Sequence, residues 1–291
     1  MSQTSEFIDA YGVTIVYDVH AAEGTPRGVV QLLHGVGEHA GRYAKLIAAL
    51  TSAGYIVYAD DHRGHGRTGM RQHGSAAKLG RLGKGGLRAA VQAVWQLTGI
   101  IREEHPDLPL VLLGHSWGSF LSQKLVNEHP EAWDAVILSG SAHLTPRDLN
   151  AAPLNAKWEG ADATGYEWLS RDPAVWKAFD EDPLTTNVPL LKLFGPIEAL
   201  KLYGRPRRGL AKHGNDIPLL LIVGRDDPVG GPHSVHKLAD DYRNRSGFTD
   251  ITTLVYPDAR HELFHELQQS EVRADVLAWL DTRIPPLRQA Q

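Results

Sequence analysis

With 291 residues, 42% apolar and 22% charged, the chain has ordinary globular composition and the length to bury a core without staples, which excludes a disordered or fibrous protein. Thirty Lys and Arg against 34 Asp and Glu leave a net charge of -4 and no basic excess for phosphate, so no nucleic-acid partner is expected. The lack of cysteine excludes disulfides, thiolate metal sites, iron–sulfur clusters and a cysteine nucleophile, and no apolar run approaches the ~18 residues of a membrane span.

Met1–Asp9 is polar and acidic, with neither a basic nor an apolar leader region, so no signal peptide and a cytoplasmic location are expected. Val13, Ile15, Tyr17 and Val19 alternate at strand period, and Val29–Leu33 is a short buried-type run ending at His34-Gly35. Tyr43, Leu46, Ile47 and Leu50 share a face, predicting a helix over Arg42–Ser52 that Gly54 stops. Tyr55–Ala59 reads as a strand ending at Asp60-Asp61. Gly86–Glu104 reads as a helix stopped by Pro106, Leu110–Leu113 as a strand, and Trp117–Glu128 as a helix ended by Pro130. Ala135–Leu138, Pro218–Val223 and Ile251–Tyr256 are further strands, and Pro232–Asn244 and Glu262–Asp281 further helices. Strands alternating with helices of ten or more residues indicate an α/β fold on a parallel sheet.

From about Ser141 to Asn215 the alternation stops. The segment is rich in Trp, Pro and Leu, which predicts a helical insertion and not a linker. The expected division is therefore a core of 1–140 and 216–291 with an insertion of 141–215.

Gly114-His115-Ser116-Trp117-Gly118 is a G-x-S-x-G motif between a strand and a helix, the setting of a nucleophile elbow. A serine nucleophile needs a base, and the base needs an orienting carboxylate. In this class the chain order is serine, acid, histidine. The strand Pro218–Val223 runs into Gly224-Arg225-Asp226-Asp227-Pro228, where Asp227 is preferred because Pro228 fixes the turn after it; Asp226 is left to cap that turn. Of 15 histidines, His261 stands at the right place in the order, after the last strand. The expected oxyanion donors are the backbone N–H groups of Trp117, next to the serine, and Val36, in the early loop His34-Gly35-Val36-Gly37. A rival motif, His261-Glu262-Leu263-Phe264-His265, has the H-E-x-x-H form of a zinc site. It begins in a loop and lacks an obvious third ligand, so no metal is expected.

Several segments in order resemble the monoacylglycerol lipase and lysophospholipase branch of the α/β-hydrolase superfamily. His34–Tyr43 is similar to its oxyanion loop. Asp61-His62-Arg63-Gly64-His65-Gly66-Arg67-Thr68 is similar to its D-H-x-G-H-G-x-S stretch, with Thr68 where serine is usual. Gly114–Gly118 matches the elbow, Gly224–Val229 the acid loop and Ala259–Glu262 the histidine loop. Trp168–Asp172 and Asp182-Pro183-Leu184 resemble the cap of bacterial members. The resemblance spans roughly residues 10–285. It implies an α/β-hydrolase fold with a mostly parallel sheet and a helical cap, an acid at Asp227 and a base at His261. It also implies hydrolysis of a small-molecule acyl ester, most readily a monoacylglycerol or similar lipid monoester, through an acyl-enzyme and without a cofactor. Carboxylesterase, lysophospholipase, thioesterase and peptidase activities are alternatives on the same fold; a zinc peptidase and a non-catalytic receptor are more remote.

The apolar residues Leu190, Leu191, Leu193, Phe194, Ile197, Leu200 and Leu202 predict a cap helix that buries one face on the core or on an acyl chain. The cap is also the expected place of any transient membrane or micelle contact. Arg205, Arg207, Arg208 and Lys212 read as a solvated loop, with an anionic surface as the alternative.

Overall fold

The computed structural model describes residues 2–284; Met1 and 285–291, the end of the expected core, lie outside the described residues. The strands are β1 (Ser2–Ile8), β2 (Thr14–His20), β3 (Gly28–Leu33), β4 (Tyr55–Asp61), β5 (Leu110–His115), β6 (Ala135–Ser139), β7 (Leu219–Gly224) and β8 (Ile251–Tyr256). They form one sheet in the order β1-β2-β4-β3-β5-β6-β7-β8. β1–β2 and β2–β4 pair antiparallel and all other neighbours pair parallel. β3, β5, β6 and β7 are buried along their whole length, as parallel strands covered on both faces must be.

The helices are α1 (Ala44–Ser52), α2 (Gly66–His73), α3 (Gly86–Glu104), α4 (Trp117–Glu128), α5 (Pro173–Glu181), α6 (Leu190–Leu200), α7 (Gly231–Asp241) and α8 (Gln269–Asp281). Strand residues alternate between two cores. Val29, Leu110 and Leu112 meet α3, α4 and α7 through Val94, Leu97, Leu121, Leu125, Val235 and Leu238. Val30, Val111 and Leu113 meet α1 and α8 on the opposite face through Leu46, Leu50, Val272 and Val276. The chain leaves β3 toward β4 on one side and leaves β5 toward β6 on the other. β3 and β5 are adjacent, so their C-terminal ends flank the switch point where open α/β sheets bind ligands.

Four features differ from expectation. β1 is a strand that the polar stretch Ser2–Ile8 did not announce; it is an edge strand, and only Ser5 and Phe7 are partly covered. α2 is a helix that its Gly, Arg and His residues do not announce. Its Thr68 hydroxyl accepts the Val16 N–H at 2.9 Å, a bond that serine would also make. The last helix does not begin at Glu262: a 3₁₀ turn at Leu263–His265 comes first and α8 starts at Gln269. The helix expected over Pro232–Asn244 ends at Asp241 and passes into a π turn at Tyr242–Ser246.

Between β6 and β7 the chain contains α5, α6 and long irregular stretches. α6 is broken at Gly195, whose φ is +78°, just before Pro196. The expected single apolar face is therefore divided. Leu193 and Leu202 are buried, and Leu190 and Phe194 pack on the core, whereas Leu191, Ile197 and Leu200 are exposed. Both ends of the insertion are tied to α7. His143 is held between Asp148 (2.8 Å) and Asp241 (3.0 Å), and Arg205 forks onto Asp241 at 2.6 and 2.7 Å. Arg207 donates to the Asn127 carbonyl. Two members of the basic cluster thus bond the insertion to the core.

Candidate active site

Ser116 lies at the turn from β5 into α4 with φ 51° and ψ −122°. A non-glycine residue at positive φ stores about 1–3 kcal/mol of strain. Two neighbours make the turn possible by lacking side chains. A Cβ on Gly114 would lie 2.5 Å from the Ser122 hydroxyl, and one on Gly118 2.3 Å from the Leu33 carbonyl oxygen. Gly118 thus lets α4 start directly against the end of β3. The Ser116 N–H donates to the Ser139 carbonyl at 2.8 Å, which fixes the elbow to β6.

Asp227 follows β7 and is buried. Its Oδ1 accepts the Val229 N–H at 2.9 Å and the His261 Nδ1–H at 3.0 Å. Asp226 instead points outward, to Lys157. His261 is 1% exposed, and its Nε2 has no partner among the described residues. Its ring centroid lies 4.8 Å from that of His115, the residue before Ser116, and 5.0 Å from that of Trp168. A Cβ on Gly140 would fall 3.0 Å from His261 Cε1, so the positive-φ glycine after β6 leaves room for the imidazole. Burial alone would lower the His261 pKa; the Asp227 charge and hydrogen bond outweigh it, and the net shift is upward. A base with Nδ1 fixed and Nε2 unpartnered among the described residues, packed on the residue before an elbow serine, has the parts for proton transfer from a hydroxyl nucleophile.

The loop after β3 packs on the elbow: a Cβ on Gly35 would meet Ser116 Cβ at 3.1 Å. His34 Nε2 accepts the His62 N–H, which leaves the proton on Nδ1 to be donated to the Gly35 carbonyl at 2.7 Å. Gly37 has φ +77°, and its carbonyl accepts the Thr186 N–H of the insertion at 2.8 Å. Val36 and Trp117 thus begin the two backbone turns that flank Ser116. The Trp117 indole is buried between the His65 ring, stacked at 4.9 Å, and the His62 ring, edge-on at 5.5 Å.

Residues that sequence reasoning did not select also converge here. Glu38 Oε1 accepts the Gly35 N–H and the Tyr43 hydroxyl, both at 2.6 Å, and its Oε2 accepts Arg42 at 2.5 Å. Arg42 also forks onto Glu262, with both bonds at 2.7 Å. A zinc reading would take its first two ligands from His261 and His265. Glu262, the base of an H-E-x-x-H site, is committed to Arg42. His265 Nε2 donates to the Arg42 carbonyl, and the 3₁₀ turn breaks the helical i, i+4 pairing of the two histidines.

The fold is of the α/β-hydrolase class, and the family that the chain matches makes it a serine hydrolase. The chain belongs to the family described as serine aminopeptidase S33, which it matches over residues 24–268. It is 35% identical to a monoacylglycerol lipase of Mycolicibacterium smegmatis, with 94% of this chain and 95% of that lipase covered. It is 28% identical to mouse monoglyceride lipase, covering 90% of this chain and 84% of that enzyme. Among solved structures it resembles a thermostable carboxyl esterase of Bacillus coagulans in complex with glycerol, with TM-score 0.84 at 25% identity over 97% of this chain and 99% of that one. No helix of the described residues is long and apolar enough to cross a membrane.

Proposed function

We propose that the protein cleaves monoacylglycerols or closely similar lipid monoesters through Ser116, His261 and Asp227. The observation that carries the reading is the buried Asp227–His261 pair, whose Nε2 has no partner among the described residues and whose ring packs 4.8 Å from that of His115, the residue before Ser116. Ser116 Oγ attacks the ester carbonyl while His261 Nε2 takes its proton. Asp227 holds the Nδ1–H and stabilises the imidazolium that forms. The N–H groups of Val36 and Trp117 receive the oxyanion. His261 then protonates the departing alcohol, and a water molecule, activated in turn by His261, releases the acid.

Residues 141–215 act in this reading as a cap. The Phe194 ring of α6 lies 5.4 Å from the Trp117 ring, next to the nucleophile, which suits an acyl chain. If α6 lines the acyl site, each added methylene contributes up to ~0.8 kcal/mol of binding until the site is full. Measured on a series of p-nitrophenyl esters and 1-monoacylglycerols, kcat/KM should rise with chain length and then level off. The carboxyl esterase neighbour favours a second reading, short-ester hydrolysis. A profile that falls steadily from acetyl upward would select it.

Val188, Leu191, Ile197 and Leu200 expose apolar side chains on the cap. Its partner in this reading is the lipid aggregate that contains the substrate. Ile197→Glu/Leu200→Glu should reduce cosedimentation with monoacylglycerol-containing vesicles and slow hydrolysis of aggregated substrate. Turnover of a soluble short ester should stay within about twofold of wild type, because exposed sites tolerate substitution. Equal losses on both substrates would refute the surface role.

Hydrolysis in this reading needs no metal. Dialysis against EDTA should leave the rate unchanged, and His265→Ala should be far milder than His261→Ala. Loss of activity on chelation with recovery on adding zinc would reverse the assignment.

A further inference from the structure

We propose that Glu38 and Glu262, clamped together on the Arg42 guanidinium, are positioning residues that lock the oxyanion loop to the histidine loop and keep a net negative charge beside His261. The proposal rests on the triad reading above.

The bonding pattern defines the charges. Glu38 receives three donors, from Gly35, Tyr43 and Arg42, and offers none. Glu262 receives both arms of Arg42. Both groups therefore act as carboxylates. Burial alone would raise the Glu262 carboxyl, but the adjacent guanidinium outweighs burial and holds it well below the usual range. His115 and His265 are kept neutral, since burial lowers both. Tyr43 is kept protonated by burial and by the Glu38 charge. Two carboxylates then face one guanidinium, and the cluster is one negative charge in excess. Glu38 is 2% exposed and Glu262 3%.

A single carboxylate would satisfy Arg42 as a structural pair. A second buried carboxylate adds desolvation cost that fold stability does not explain. Its placement offers an explanation. Glu38 holds the Gly35 N–H one residue before Val36, and Glu262 is the residue after His261. The clamp thus spans the two loops whose relative position sets the reaction geometry. The groups around His261 come from several elements: Asp227 after β7, His115 at the end of β5, Glu262 next to His261 in the chain, and Glu38 from the segment between β3 and α1, with the Arg42 cation bonded to both glutamates. Trp168 of the insertion packs on it without charge. Besides Asp227, both Glu262 and Glu38 favour the imidazolium. That cation forms as Ser116 attacks, so the excess charge stabilises the transition state more than the ground state.

The test compares Glu38→Gln and Glu262→Gln with wild type on a short p-nitrophenyl ester across pH. Each variant leaves Arg42 one carboxylate, so neither strands a buried cation. The acid limb of kcat/KM reports free His261. It should move to lower pH by about half a unit in each variant. kcat should fall about tenfold or more, with KM within about twofold, as expected when a group acts only in the transition state. Glu38→Asp, which keeps the charge on a shorter arm, should restore the acid limb while recovering kcat in part. Fluorophosphonate labelling provides the separate check on the triad: a variant that folds should still label at Ser116. Failure to label wild-type Ser116 would refute the triad reading, whereas an unmoved acid limb in both Gln variants with intact labelling would overturn the clamp alone. Loss of folding in both Gln variants would also overturn it, by making the cluster structural.

Discussion

Ser116→Ala should lower kcat for ester hydrolysis by about 10⁴–10⁶ with the fold intact. The loss is large because the nucleophile, its base and the base's orienter act as a unit. Without the hydroxyl, only binding and the oxyanion donors remain. The fold should survive because the elbow is held by its backbone: the Ser116 N–H bonds to Ser139, and the Ser116 carbonyl accepts Ser119 N–H and Oγ–H. Alanine at φ 51° is strained to a similar degree as serine, so the thermal midpoint should change little. The assay is initial-rate hydrolysis of a monoacylglycerol, with circular dichroism on the same preparation. Activity within about tenfold of wild type would remove Ser116 from the chemistry.

Asp227→Asn should cost about 10⁴ in kcat, and Asp226→Asn less than about twofold. Asp227 Oδ1 joins two donors, the Val229 N–H that shapes its loop and the His261 Nδ1–H. An amide of the same shape can keep the loop, but it removes the charge and no longer enforces the tautomer with Nε2 free to accept the serine proton. Loss of that charge should also move the acid limb of the pH–rate profile to lower pH, since Asp227 is the main influence raising His261 against burial. Asp226 gives up only an exposed ion pair with Lys157. Such pairs contribute ~0–1 kcal/mol. The reverse order of the two defects would move the acid to Asp226.

Most of the α/β core was legible because buried parallel strands produce short, nearly continuous apolar runs bounded by turns. Leu110–Leu113 and Ala135–Leu138 fall within such strands, whereas Ile251–Tyr256 coincides with the half-buried edge strand β8. Chain order pointed to the loops of Asp227 and His261, which follow consecutive strands at one end of the sheet, and the turn-fixing Pro228 favoured Asp227 over Asp226; the structure brings Asp227 and His261 within 3.0 Å. β1 escaped notice because one covered face of an edge strand needs only Ser5 and Phe7. The Glu262–Asp281 stretch was read as one helix because its composition permits one, and the 3₁₀ turn is imposed by His265, Glu262 and Arg42 bonding across the chain. In α6 the apolar run was visible, but Gly195-Pro196 rotates the second half away from the first. Glu38, Arg42 and Glu262 had no signal in periodicity. A Glu and an Arg four apart at a helix start look like an ordinary surface pair, and only the fold brings residue 262 onto them.

Fluorophosphonate labelling in competition with a monoacylglycerol tests nucleophile and substrate together. Wild-type protein should gain one adduct, mapped to the peptide that contains Ser116, and a long-chain 1-monoacylglycerol should slow the labelling in proportion to its occupancy of the site. Asp227→Asn should label much more slowly and Ser116→Ala not at all. An adduct on another residue, labelling that persists in Ser116→Ala, or a labelling rate indifferent to monoacylglycerol would contradict a monoacylglycerol hydrolase acting through Ser116, His261 and Asp227.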